Sequence, residues 1–213
     1  MTTVHESHGF HRTAWHVLLD TLLSQQAPPS FEVRSEVPLS AEPLRPDYLL
    51  LRRRVDARTR DEGKTLRKLW RWLPRDTVVE FKSTGRPYRS RNLDRLWSYL
   101  HTHYANQPAR LPRRADLCGV LLIPARTGSL DADVAEQGLS WRDLGTGYWQ
   151  IEGGAFLLYA AEIDRVAAAE GDELLSCSVT AKRRRRWASV GSRSTLAPRR
   201  PRWRCMTWKV STR

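Results

Sequence analysis

Apolar residues recur at helical spacing in "HRTAWHVLLDTLLSQ", where Trp15, Leu18, Leu19, Leu22 and Leu23 fall on one stripe and the pair Pro28 and Pro29 closes the segment. That pattern predicts a first helix. The period then changes to two. In "FEVRSEVPL", Phe31, Val33 and Ser35 alternate with Glu32, Arg34 and Glu36, and after Pro46 comes "DYLLLRR". Two strands separated by a polar turn are expected, the second more buried. The charged stretch from residue 52 to 75 reads as an insertion ending in a short basic amphipathic helix, "KTLRKLWRWL", with Leu66, Leu69, Trp70 and Leu73 along one side. "DTVVEFKST" is then a third strand. After the turn "GRPYRSR", the segment "NLDRLWSYLHTHYA" predicts a second core helix with Asn92 as N-cap and Leu93, Leu96, Trp97 and Leu100 as its apolar stripe. "DLCGVLLIPA" is a continuous apolar run of strand length, expected to be buried on both faces. "GYWQIE" follows as a strand, and "GAFLLYAAEIDRVAAAEGDELL" is compatible with a strand at its start and helical in its Ala-rich later half. The order helix, strand, strand, strand, helix, strand, strand, helix implies an α/β fold, a mixed central sheet flanked by helices.

A chain of 213 residues builds one core more readily than two. Charge divides it further. Residues 181–213 hold twelve Lys or Arg and no Asp or Glu, leaving 24 basic against 23 acidic residues before them. The expected organisation is one domain over residues 1–180, with the basic insertion at 52–75, followed by a basic, disordered tail over 181–213. Within the body, residues 52–95 carry fifteen Lys or Arg against six acids, an excess that suits an acidic partner such as nucleic acid. The three cysteines, Cys118, Cys177 and Cys205, form no CxxC pair, and an odd count suits a reducing cytoplasm rather than a disulfide-stapled secreted protein. No apolar run reaches the roughly 18 residues a membrane span needs, and "MTTVHESHGFHR" has no signal-peptide pattern. A cytoplasmic protein with no membrane partner is expected.

The third strand carries chemistry. Strand side chains alternate faces, so Glu80 and Lys82 share one side while Val79, Phe81 and Ser83 share the other. If the strand containing Asp47 pairs beside it, a second carboxylate comes within reach of Glu80. Two close carboxylates repel unless a cation lies between them, and oxygen ligands select Mg2+ or Mn2+. Such an ion polarises a phosphoryl oxygen and lowers the pKa of bound water, while Lys82 would orient that water or stabilise the pentavalent oxyanion. In a basic surround, this describes cleavage of a phosphodiester. The plainer reading of Glu80 and Lys82 is a solvated same-face pair on an edge strand, which would contribute little.

"RPDYLLL" followed by "TVVEFKS" resembles the signature of the PD-(D/E)XK nuclease superfamily, here Pro46-Asp47 and then Glu80-Phe81-Lys82, and the order of elements from about residue 7 to 160 is similar to its restriction-endonuclease-like core. A closer likeness within it is to the Rpn-like, transposase-related bacterial nucleases. The resemblance implies a Mg2+-dependent endonuclease acting on DNA, with Asp47, Glu80 and the backbone carbonyl of Phe81 holding the metal and Lys82 serving the hydrolytic water. It also implies a supporting role for the helix after the lysine, where Tyr99 is kept and Arg95 stands in place of a common Gln, and for an acid of the first helix, Glu6 or Asp20. A departure is the gap of 32 residues between Asp47 and Glu80. The basic residues Arg52, Arg53, Arg54, Lys64, Arg67, Lys68, Arg71, Arg86, Arg89 and Arg91 are the expected phosphate contacts, with the insertion as a DNA-contacting arm.

His101 and His103 lie about 200° apart on a helix and cannot chelate one ion from it, so exposed positions are expected for both. Cys118, inside an apolar strand, should behave as a buried hydrophobe. The tail "KRRRRW", with Trp187, Trp203 and Trp208, could bind nucleic acid by charge and stacking, or be an incidental extension. The rival to an enzyme is a non-catalytic nucleic-acid-binding protein that retains the fold. A homodimer is compatible with either.

Overall fold

The computed structural model describes residues 14–35, 48–54 and 63–175. The chain divides into two units, Met1–Ala181 and Lys182–Arg213, and the second lies outside the described residues, as do Glu6 and Asp47.

Helix α1 (Ala14–Gln26) is followed by strands β1 (Phe31–Ser35), β2 (Tyr48–Arg53) and β3 (Asp76–Phe81), helix α2 (Asn92–Asn106), strand β4 (Leu117–Ile123), helix α3 (Gly128–Glu136), strands β5 (Ser140–Gly145), β6 (Tyr148–Glu152) and β7 (Leu157–Glu162), and helix α4 (Ile163–Glu170). The seven strands form one sheet in the order β1-β2-β3-β4-β7-β6-β5. β3, β4 and β7 run parallel at its centre, and the pairs β1–β2, β2–β3, β7–β6 and β6–β5 are antiparallel. The sheet is therefore mixed, as the alternation of periods implied.

The central strands are covered on both sides. Leu51, Val79, Phe81, Cys118, Val120, Leu122, Tyr159 and Ala161 pack with α1, α4 and Leu66, Leu69, Trp70 and Leu73. On the other face Leu50, Val78, Leu117, Leu121, Leu158 and Ala160 pack with α2 and α3. Every residue of β3 and β4 is buried, and each fully buried Leu or Val side chain contributes about 2 kcal/mol. Cys118 is 0% exposed, and burial, opposed only by the hydrogen bond with Thr77, pushes its thiol up to about 12. It behaves as the hydrophobe its context suggests.

Four expectations are corrected. The segment "KTLRKLWRWL" is not a helix beyond a single 3-10 turn at Leu69–Arg71, because Trp70 folds back to donate from Nε1 to Thr65 O, 2.8 Å away, and packs at a tilt on Phe31. Asn92 does not cap α2. Arg91, in the left-handed conformation (φ 66°), occupies that position, and the Asn92 Oδ1 instead accepts from Arg89 N at 2.8 Å. α3 and β5 were not expected at all. His103 is buried rather than exposed. Among the described residues, no helix is long and apolar enough to cross a membrane.

α2 lies unusually close to β4 at Gly119. A Cβ there would sit 2.5 Å from Leu158 Cδ2, 3.1 Å from Leu100 Cδ1 and 3.2 Å from Leu96 Cδ2. Those leucines are fully buried and have little room to yield. Gly119→Ala is expected to destabilise the fold by about 1–3 kcal/mol through overpacking, read as a lower urea midpoint at unchanged slope.

Candidate active site at the carboxyl end of the third strand

Glu80 is the fifth residue of β3 and lies opposite Leu121 of β4 and Tyr48 of β2. Its parity with Val78 turns it toward the α2 and α3 face. The β3–β4 ladder continues one step past the strand, Lys82 N donating to Leu122 O at 2.8 Å, so Lys82 keeps the same parity. Lys82 Nζ and Glu80 Oε1 form a direct ion pair, their side chains only 8% and 2% exposed. The pair therefore sits inside a central strand, not on a solvated edge. An isolated buried charge costs several kcal/mol, and each of these groups reduces that cost for the other.

The chain then turns sharply. Ser83 bridges to Arg86, and a loop rich in arginine leads to α2. Tyr88 in that loop is buried, and its hydroxyl donates to Asp133 Oδ2 at 2.7 Å while accepting from Leu93 N at 3.0 Å. Burial, the hydrogen bond to Asp133, and the charges of Asp133 and Glu80 push the Tyr88 pKa far above that of a free tyrosine, against the Leu93 N–H. It stays a protonated donor between two carboxylates. Tyr88 and Asp133 were absent from the expected site. Asp133 had a faint signal, an acid at i+3 between Leu130 and Val134 on the apolar side of a helix, but the nine-residue helix has too few apolar anchors to announce itself.

The expected residues do not all meet. Asp47 lies outside the described residues, while Tyr48, next in the chain, is the Cα partner of Glu80. Asp20 is half-buried on α1, the helix that covers the opposite face of the sheet. Tyr99 is a core residue of α2, and Arg95 is exposed on the same helix. Another buried carboxylate at the same end of the sheet, Glu162, is occupied by Trp149 Nε1 at 2.7 Å and Arg165 Nη1 at 2.9 Å.

The basic residues separate into three groups. Arg52 and Arg53 sit at the other end of β3, about 13 Å from Glu80 at strand rise. Arg52 pairs with Asp76 (3.5 Å), and the Arg53 guanidinium donates to Leu73 O (2.7 Å) and lies 4.5 Å over the Phe31 ring. Arg54 follows them and is exposed. Lys64, Arg67, Lys68 and Arg71 belong to the segment packed on the α1 face, where Lys68 Nζ donates to Thr146 Oγ1 at 3.2 Å and Arg67 N to Glu170 Oε2 at 3.0 Å. This stretch of the insertion lies across the sheet from Glu80. Arg86, Arg89 and Arg91 alone belong to the loop that leaves Lys82.

Among the described residues, no group of three or more His, Cys, Asp or Glu is placed to hold a metal ion. Comparison with protein-family models, with curated proteins and with solved structures returns no match.

The far end of β3 holds a second ionic cluster. Asp76, 0% exposed, meets Arg110 Nε at 2.7 Å, His103 Nε2 at 3.0 Å and Arg52 Nη2 at 3.5 Å. Burial alone would raise its pKa, but the hydrogen bonds with His103 and Arg110 and the charges of Arg110 and Arg52 outweigh it and hold the carboxyl below its ordinary 3.8. A depressed carboxyl contributes stability above the unfolded pKa and loses it as pH falls through the folded one. Stability against denaturant should therefore drop as pH falls below about 4. Asp76→Ala should cost about 3 kcal/mol at neutral pH and flatten that acid limb, as measured by denaturant melts across pH.

Proposed function

We propose that the protein is a metal-dependent nuclease that hydrolyses phosphodiester bonds, with DNA as substrate, Glu80 and Asp47 as metal-holding carboxylates and Lys82 as the catalytic lysine. The observation that carries this reading is the buried Glu80–Lys82 pair, aligned on one face at the carboxyl end of a central parallel strand, where open α/β sheets place their ligands. Asp47 is one peptide from Tyr48, a Cα separation of about 3.8 Å, and Tyr48 is paired with Glu80. The strand, strand, strand, helix, strand order that carries the restriction-endonuclease resemblance runs through β1, β2, β3, α2 and β4, with strands adjacent in sequence adjacent in the sheet.

The donors suit a hard divalent cation in kind: the Glu80 carboxylate, the Phe81 carbonyl and, from outside the described residues, the Asp47 carboxylate. When bound, Mg2+ or Mn2+ would polarise a phosphoryl oxygen and make bound water more acidic. The chain's own contribution follows from the pair. Glu80 holds the Lys82 ammonium in one orientation, so its remaining N–H donors are preorganised rather than mobile. Those donors orient the attacking water and stabilise the charge that builds on the phosphoryl oxygens as the new P–O bond forms and the bond to the leaving sugar oxygen breaks. Burial of both groups strengthens that interaction relative to water.

One feature favours the rival reading, a non-catalytic nucleic-acid-binding protein: Lys82 already neutralises Glu80 directly. Plasmid nicking separates the two. With Mg2+ or Mn2+, wild type is expected to convert supercoiled plasmid to open circles, and Lys82→Ala, Glu80→Gln and Asp47→Asn are each expected to lower the rate at least about 100-fold while retaining DNA binding. Failure of wild type to nick in any divalent metal, or equal nicking by wild type and Lys82→Ala, sinks the enzyme reading.

A further inference from the structure

We propose that Asp133 of α3 is a positioning residue that holds the loop after Lys82 so that Arg89, Arg91 and Arg95 form a phosphate-binding surface for nucleic acid beside the Glu80–Lys82 pair. The inference rests on the nuclease reading for the identity of the site, but not for the binding it describes.

Three donors of one short loop converge on one buried carboxylate. Asp133, 4% exposed, accepts from Tyr88 Oη at 2.7 Å, Ser90 Oγ at 3.0 Å and Arg91 N at 2.8 Å. Arg91 has φ 66°, a left-handed conformation that non-glycine residues adopt only when their surroundings impose it. Its N–H bond to Asp133 supplies that imposition. The same carboxylate holds Tyr88, whose hydroxyl anchors the first turn of α2 through Leu93 N. Removal of Asp133 would release the loop at three points and the helix start at a fourth.

What the latch presents is unpaired charge. Arginines elsewhere among the described residues are largely occupied within the protein: Arg110 and Arg52 on Asp76, Arg126 on Asp131, Arg142 on Glu152, Arg165 on Glu162. Arg89, Arg91 and Arg95 are exposed, and among the described residues their side chains have no ion pair or hydrogen bond. Arg91 and Arg95, joined by the first backbone hydrogen bond of α2, are four apart and so lie on one side of the helix start. The one acid in that turn, Asp94, is engaged by Gln137 Nε2 at 2.8 Å. Three exposed arginines with no ion pair among the described residues, set within seven residues of the loop and helix start that follow the buried pair, repel one another until an anion arrives. A flanking phosphodiester chain supplies such anions at regular spacing.

The test is the salt dependence of binding by the full-length chain to a fluorescein-labelled DNA duplex in EDTA, read by anisotropy. The tail is common to every variant and cancels in the difference. Each phosphate contact contributes about 0.9 to the slope of log K against log salt. Replacing Arg89, Arg91 and Arg95 together by Gln should lower that slope by about 2.7. Replacing Lys64, Arg67 and Lys68, which belong to the segment on the opposite face, should leave it unchanged. Asp133→Asn should lower the slope by about one contact or more, and should lower it no further in the triple-Gln background, a non-additivity that a purely structural residue would not show. An unchanged slope in the Arg89, Arg91, Arg95 variant, or an equal loss in the Lys64, Arg67, Lys68 variant, overturns the surface. A shifted melting temperature with a wild-type slope in Asp133→Asn overturns the latch. Because binding is read without turnover, a protein that fails to nick plasmid but shows these slopes refutes the nuclease reading alone.

Discussion

β3 has no face toward water, and much of the structure follows from that constraint. It runs between β2 and β4, with α2 and α3 on one side and α1 and the 63–75 segment on the other. Yet it carries a carboxylate at its first position and another at its fifth, both at most 2% exposed. A buried carboxylate must find cations or donors inside the protein. Asp76 finds Arg52 from the neighbouring strand, His103 from α2 and Arg110 from the connection into β4. That cluster joins four parts of the chain. Glu80 finds Lys82, two residues on along its own strand, so this ion pair is made within one element.

This difference separates the two ionic groups of β3. Around Asp76 every partner arrives from elsewhere and closes the group. At Glu80 the ion pair with Lys82 is local, and the chain beyond it runs through the turn at Ser83 to the start of α2. The carboxyl ends of β3, β4 and β7 lie together on this edge, and the other buried acid there, Glu162, is already bound by Trp149 and Arg165. Glu80 and Lys82 thus form a buried ion pair where the chain turns away from the sheet.

Strand alternation and apolar runs made the centre of the fold legible. Leu49 to Leu51, Val78 to Phe81 and the run from Leu117 to Ile123 read as strands and are strands, and the last, read as buried on both faces, is buried throughout. The sharing of a face by Glu80 and Lys82 followed from period two. The short peripheral elements were harder to see. α3 buries only Leu130 and Val134 as apolar anchors, and β5 has no buried residue, so neither carries a periodic signal. The β5–β6 hairpin turns at Thr146 and Gly147, both with positive φ, but Thr in place of Asn or Asp disguises that turn. Amphipathic spacing in "KTLRKLWRWL" misled because its apolar residues serve a folded-back loop whose Trp70 fills the space beside Gly63, where a Cβ would lie 2.1 Å from Trp70 Nε1. Periodicity reports which residues are buried, and leaves open which backbone buries them.

Charge density misled in a similar way. Counting basic residues from 52 to 95 treats them as one patch, but the fold distributes them over both faces and both ends of β3. Arg53 is turned inward onto backbone carbonyls of the segment that follows β2, and its aliphatic and planar parts cover Phe31, so it acts as packing as much as charge. Arg110, which no pattern distinguished, neutralises a core carboxylate. A guanidinium's five donors make it equally suited to closing a buried cluster and to gripping phosphate; what decides between them is whether a carboxylate or carbonyl of the same chain reaches it first. On the stretch from Arg89 to Arg95 two acids of the neighbourhood are committed, Asp94 to Gln137 and Asp133 to the loop's own backbone and hydroxyls. The carboxylate that could have quenched those arginines is instead the one that holds them in place.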